Sequence, residues 1–202
     1  MITDRDKKFY NYLIRTRLPI NINDVADMFY PSPTGNKRSS ITIAQRRCRE
    51  LKKLQYIEVS NRSFGNCNYY YVGQKPNERQ LRHKLLISHV IATITSNGFI
   101  ITELEVEKQI MNGEIRCDVF ATLEYNGTKR TMIIEVDLTK EFNVDGYSRL
   151  IRRVQDGMIS FKYPLMIVSV CDFKIESDIK KYIITCKTDL SDFNKFIWHF
   201  VK

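Results

Sequence analysis

The chain has 202 residues, of which 43% are hydrophobic and 27% charged; this composition excludes a disordered, collagen-like or fibrous chain. Lys and Arg number 32 against 23 Asp and Glu, a formal net charge of +9, which suits a polyanionic partner. No run approaches about 18 apolar residues, the signature of a membrane helix. The opening Met-Ile-Thr-Asp-Arg-Asp-Lys-Lys has no apolar leader core, so the expected compartment is the cytoplasm. Cys48, Cys67, Cys117, Cys171 and Cys186 form no Cys-x-x-Cys pair and are expected as reduced, packed thiols rather than as a disulfide framework or zinc site.

The length accommodates one or two domains, and a boundary is placed at Gln74-Lys75-Pro76-Asn77, giving domains 1–76 and 77–202. Residues 1–78 carry 14 Lys/Arg against 7 Asp/Glu, net +7, and residues 79–202 carry 18 against 16, net +2. Residues 4–17 read as a helix with Phe9, Leu13 and either Leu18 or Ile14 inward, stopped by Pro19. Asn23 is expected to cap a short helix from Asp24 to Tyr30, and 31–36 is a turn region. A third helix is expected from Ser39 or Ser40 to Gln55, with Ile41, Ala44, Cys48, Leu51 and Leu54 as its apolar stripe. Seven cations lie between Lys37 and Lys53 against one acid, Glu50. Two β-rich runs, 56–60 and 69–72, then flank a Gly/Asn turn and predict a hairpin.

Three helices and a hairpin resemble a winged helix-turn-helix over residues 4–74. The resemblance implies binding to double-stranded DNA, with the third helix in the major groove and the hairpin on the backbone. The expected contacts are Arg38, Ser40, Thr42, Gln45, Arg46, Arg49 and Lys53 on the helix and Arg62 on the hairpin.

In the second part, 81–94 is helical by pattern, ended by Asn97-Gly98. Strands are expected at 99–106, 114–125 and 130–137, the last two joined at Asn126-Gly127. A helix over 145–162, a buried parallel strand over 165–170, a further helix, a strand at 182–186 and a closing helix over 189–201 complete the order. The expected fold class is α+β or α/β with a mixed sheet. Asp118 lies on one hairpin strand and Glu135 and Asp137 on the other, two residues apart and so on one side. Three carboxylates on adjacent strands call for a balancing cation, and a divalent metal bound through carboxylate oxygens is the usual remedy.

This order resembles the PD-(D/E)xK nuclease superfamily, the restriction-endonuclease-like fold with an αβββαβ core. Cys117-Asp118 stands at its Pro-Asp position and Glu135-Val136-Asp137 at its (D/E)-x-K, so Asp137 replaces the lysine that assists the attacking water. Lys140 is the nearest alternative ammonium by sequence. Across both domains the chain is similar to the replication-relaxation proteins of plasmids and integrative elements, on Leu81-Arg-His-Lys-Leu85, Glu103, Glu105, Arg116-Cys-Asp118, residues 134–141 and Tyr147. That resemblance implies action at an origin of replication or transfer and replication or relaxosome partners. It implies Asp118, Glu135, Asp137, Glu105 and Lys140 as catalytic candidates. Asp118, Glu135, Asp137 and Glu103 become candidate ligands for Mg²⁺ or Mn²⁺, with His83 and Tyr147 as further site candidates. A homodimer is expected because one winged helix covers few base pairs. The alternative reading is a transcriptional regulator whose second domain is a catalytically inert dimerisation or effector module.

Overall fold

A computed structural model describes residues 1–60, 68–138, 142–175 and 177–202. The chain divides into two compact units, Met1–Asn97 and Gly98–Lys202. Among the described residues no helix is long and apolar enough to cross a membrane.

In the first unit α1 (Asp4–Thr16) starts at a capping box between Thr3 and Asp6 and stops where Arg17 turns left-handed, ahead of Pro19 as expected. A short strand β1 (Ile20–Asn21) leads into α2 (Ile22–Phe29). Asn21, not Asn23, caps that helix, its side-chain oxygen accepting the Asp24 amide at 3.0 Å. Asn36 likewise caps α3 (Lys37–Lys53), two to three residues before the expected start. Strands β2 (Glu58–Ser60) and β3 (Tyr69–Tyr71) pair antiparallel, and β1 adds to the other edge of β3, giving the order β1-β3-β2. The expected turn between β2 and β3, with Arg62, lies outside the described residues.

The core of this unit centres on Phe9, whose ring lies 5.2 Å from Phe29, 6.4 Å from Tyr30 and 6.5 Å from Tyr70, centroid to centroid. Ala44, Cys48 and Leu51 bury the inner face of α3 against it, while Leu54, expected on that stripe, is exposed. Beneath α3 lies a charge that the sequence does not announce. The carboxylate of Asp6, fully buried, accepts the Tyr30 hydroxyl at 2.7 Å and the Arg47 guanidinium through Nε at 3.1 Å and through Nη2.

Helix α4 (Glu78–Ser96) belongs to this first unit. That differs from the boundary expected at Pro76, where the loop signals mark a change of direction rather than of unit. Ser88 of α4 donates to the Pro19 carbonyl at 2.7 Å and accepts the Tyr12 hydroxyl at 3.2 Å. His89 Nδ1 lies 2.8 Å from the buried Asp24 carboxylate, which holds the imidazole above its ordinary pKa.

The second unit is a five-stranded mixed sheet in the order β4-β5-β6-β7-β8: β4 (Ile100–Ile110), β5 (Ile115–Tyr125), β6 (Thr128–Asp137), β7 (Leu165–Cys171) and β8 (Ile183–Cys186). The first three run antiparallel, and β6, β7 and β8 run parallel. At the β5–β6 turn Asn126 and Gly127 both take positive φ, 49° and 80°, the conformation that Asn-Gly favours. Helix α5 (Val144–Gln155) crosses from β6 to β7, ending seven residues sooner than expected. Phe161, expected on that helix, instead reaches Phe120 from the following loop, 6.1 Å between rings. The helix expected between β7 and β8 is a 3₁₀ turn, Asp178–Tyr182, and the closing helix α6 (Asn194–Val201) is shorter than its pattern. One core joins Phe120, Ile133, Tyr147, Leu150 and Ile167 on the α5 side. A second cluster joins Phe99, Tyr125, Phe193, Phe196 and Phe200 at α6.

Candidate functional site

Two arrangements of functional side chains stand out, one in each unit. In the first, burial of Ala44, Cys48 and Leu51 turns the opposite face of α3 outward. Arg38, Thr42, Gln45, Arg46, Arg49 and Lys53 are all exposed, and their spacing of three, four and seven residues lays them along that face. Ser40 is not part of it: its side chain is buried, and its hydroxyl accepts the Ser32 amide at 2.8 Å and lies 3.3 Å from the Asn36 carbonyl. It ties the turn before α3 to the helix. Arg47 is held by Asp6, so it braces the helix from beneath.

The second arrangement lies at the open end of the β5–β6 hairpin. The ladder runs from Tyr125↔Thr128 to Val119↔Ile134, and one step further Asp118 comes opposite Glu135. There Asp118 Oδ2 accepts the Val136 amide at 2.8 Å, a side chain closing a ladder position that the backbone leaves. Strand β6 continues along β7 to Asp137↔Cys171, so Glu135 and Asp137 extend past the hairpin on the same side. The Ser169 hydroxyl lies 3.4 Å from Asp137 Oδ2.

Glu135 is half-buried and accepts the hydroxyl of Tyr147, a fully buried residue of α5 whose ring stacks on Phe142 at 4.7 Å. Burial, with the charges of Asp118 and Asp137 added and the Tyr147 bond opposing, pushes the Glu135 carboxyl up to about 8. Burial and the negative charges of Glu135 and Asp118 likewise push the Cys117 thiol up to about 12. Glu135 raised in the fold carries no penalty at pH 4, where the carboxyl is protonated folded or unfolded. The penalty grows as pH rises from about 4.5 and is complete above about 8. Glu135→Gln should therefore leave the melting temperature unchanged at pH 4 and stabilise the protein by about 2–4 kcal/mol at pH 9; thermal unfolding at the two pH values measures the difference.

Asp118 and Asp137 thus each lie near enough to Glu135 to act on its charge. Glu103 does not join them. It accepts the Thr122 hydroxyl at 3.0 Å, and its register partner Thr122 is four residues from Asp118 along β5, about 13 Å at the usual strand rise. Glu105, opposite Phe120, is closer, and its carboxylate lies 2.7 Å from the Lys108 ammonium. His83 is on α4 of the first unit, and Lys140 lies outside the described residues. Sequence reasoning missed the Asp6–Arg47 pair, for which no motif spacing exists.

The three carboxylates offer hard oxygen donors of the kind that suits Mg²⁺ or Mn²⁺, and in that chemistry they fit such an ion. Each is engaged by the protein, however, and among the described residues no three His, Cys, Asp or Glu side chains are gathered as a metal centre. No protein-family model, curated protein or solved structure matches the chain.

Proposed function

We propose that the chain is a DNA-binding protein of a plasmid or other mobile element, acting at an origin of replication or transfer. On this reading the first unit is a winged helix that binds duplex DNA, and the second is a restriction-endonuclease-like unit that nicks it. The observation that carries the reading is the exposed face of α3, where four cations (Arg38, Arg46, Arg49, Lys53) alternate with Thr42 and Gln45. Guanidinium and ammonium groups neutralise phosphates, while the hydroxyl and amide suit base edges. The antiparallel β2–β3 pair after α3, extended by β1, supports the winged form, and the βββαβ succession with Asp118, Glu135 and Asp137 at its hairpin end supports the nuclease-like form.

Asp118, Glu135 and Asp137 would hold the Mg²⁺ or Mn²⁺. When bound, such an ion polarises a phosphodiester and lowers the pKa of water. In hydrolysis the oxygen of water joins phosphorus and the bond to one sugar oxygen breaks. That oxygen leaves as a hydroxyl, taking up a proton that water gave up. The Tyr147 hydroxyl on Glu135, with Asp137 where a lysine would stand, favours a second reading: a regulator whose second unit is a catalytically inert dimerisation or effector module. Nicking of supercoiled plasmid with Mg²⁺ or Mn²⁺ separates the two.

Duplex binding tests both. Replacing Arg46 and Arg49 together by alanine should weaken binding at least tenfold near 150 mM salt. It should also lower the slope of log affinity against log salt by about 2, one for each phosphate no longer neutralised by a guanidinium. Fluorescence anisotropy over a salt series reads both quantities. An unchanged slope would remove α3 from the interface.

A further inference from the structure

The first unit holds a cavity of about 590 Å³, within the range of roughly 300–1,000 Å³ typical of small-molecule sites. Its wall is made by the end of α1, the loop that follows β3 and the start of α4. It shares no residue with the outward face of α3 or with the carboxylates of β5 and β6. Each piece of the wall brings one cation, Arg17, Lys75 and Lys84, and no Asp or Glu lines the cavity. The nearest acid along the chain, Glu78, lies in the first turn of α4 and outside the lining.

The fold itself makes no use of these cations. Other half-buried Lys and Arg side chains are engaged: Arg47 by Asp6, Lys108 by Glu105, Arg130 by the Phe200 carbonyl and Arg153 by Glu114. Lys84 is half-buried too, yet its ammonium has no ion pair or hydrogen bond among the described residues. A partly desolvated charge without a partner is unfavourable, and an anion from outside the chain would supply one. Arg17 and Lys75 likewise lack a side-chain partner among the described residues. Arg17 also occupies the left-handed position that ends α1, φ 53°, where glycine is the usual residue, so a guanidinium stands at the cavity in place of a hydrogen.

The rest of the lining narrows the chemistry. Guanidinium and ammonium groups suit a phosphate. The side-chain amides of Gln74 and Gln80 have no partner among the described residues, and amides suit hydroxyls. Leu13, Val72 and Pro76 offer an apolar surface to C–H groups, and no aromatic side chain lines the cavity, so a nucleobase would find nothing to stack on.

We propose that this cavity binds a small phosphorylated sugar, its phosphate on Arg17, Lys75 and Lys84 and its hydroxyls on Gln74 and Gln80. The site is independent of both duplex binding by α3 and nicking by the second unit.

The test is calorimetric titration of the full chain with ribose 5-phosphate and with glucose 6-phosphate, in EDTA and about 0.15 M salt, which screens long-range attraction to a basic surface. At least one should bind one-to-one with a Kd at or below about 1 mM, while ribose and glucose should give no heat of binding. Lys84→Gln and Arg17→Gln should each weaken binding about tenfold, the scale of one hydrogen bond to a charged group, and Lys84→Arg should recover most of the affinity. Arg82→Gln removes an exposed cation of α4 outside the cavity and should bind as wild type does. Circular dichroism melting confirms that each variant is folded, and Arg17→Gln decides the outcome should Lys84→Gln unfold. Binding of neither sugar phosphate, or binding unaltered in folded Lys84→Gln and Arg17→Gln, overturns the proposal. A folded Lys84→Gln chain that loses duplex affinity instead also overturns it, since the cavity would then be a contact for the DNA backbone.

Discussion

Asp118→Ala should reduce metal-dependent nicking by at least 10³-fold, the scale expected when a group that holds the reacting phosphate's counter-ion is removed. Asp118 has two duties at the hairpin end. Its carboxylate is one of three oxygen-donor groups on that side, and one of its oxygens holds the Val136 amide where the β5–β6 ladder ends. Loss of the second duty alone costs roughly the 1–3 kcal/mol of an unsatisfied backbone donor, so stability and nicking must be read together. Asp118→Asn separates them. The asparagine carbonyl can still accept the Val136 amide, while the charge that a divalent ion requires is gone. Asp118→Asn should therefore melt within a few degrees of wild type and still fail to nick. A folded Asp118→Asn protein that cleaves at the wild-type rate would remove this carboxylate from the chemistry.

Asp6→Ala should destabilise the first unit by about 3–5 kcal/mol, the cost of breaking a buried ion pair by deleting one member. Asp6 is completely buried. Its oxygens take the Arg47 guanidinium, the Tyr30 hydroxyl, and the Thr3 amide and hydroxyl. Deletion strands Arg47 beneath α3 and removes the capping box of α1 at once. The pH dependence has a definite sign. Burial alone would raise the Asp6 carboxyl, but the bonds from Arg47, Thr3 and Tyr30 outweigh it and hold the group well below its ordinary value. Its contribution is then complete above about pH 4 and is lost as pH falls below that, towards the depressed folded value. Urea unfolding at pH 7 and pH 3 should show a large difference between wild type and Asp6→Ala at the first and a smaller one at the second. Asp4→Ala, an exposed acid on the same helix, should barely shift the midpoint.

The elements read from the sequence are those whose signal is local. The helix over Asp4–Thr16 followed from Phe9 and Leu13 at four-residue spacing and from Pro19 after it. The β5–β6 hairpin followed from Asn126-Gly127, a pair suited to two consecutive positive φ angles. Glu135 and Asp137 share a side because strand side chains alternate, and counting outward from the turn brings Asp118 opposite them. Misplaced elements failed where a tertiary contact outweighed a local pattern. Helix α4 follows a Pro-containing loop, yet Ser88 and His89 bond it to Pro19 and Asp24 of the first unit. Ser40 has the residue type of a DNA contact, yet it is buried as a brace for the turn before α3.

The sequence by itself determined a basic chain of helices and strands with a cationic helix and three carboxylates at one hairpin end, because charge, periodicity and turn chemistry are properties of neighbours along the chain. Only the tertiary structure decided that Arg47 is held by Asp6, that Tyr147 sits on Glu135, and that Lys108 turns over Phe120. Each joins residues 12 to 41 positions apart, and such pairings are set by how faces bury against one another, which no spacing along the chain records.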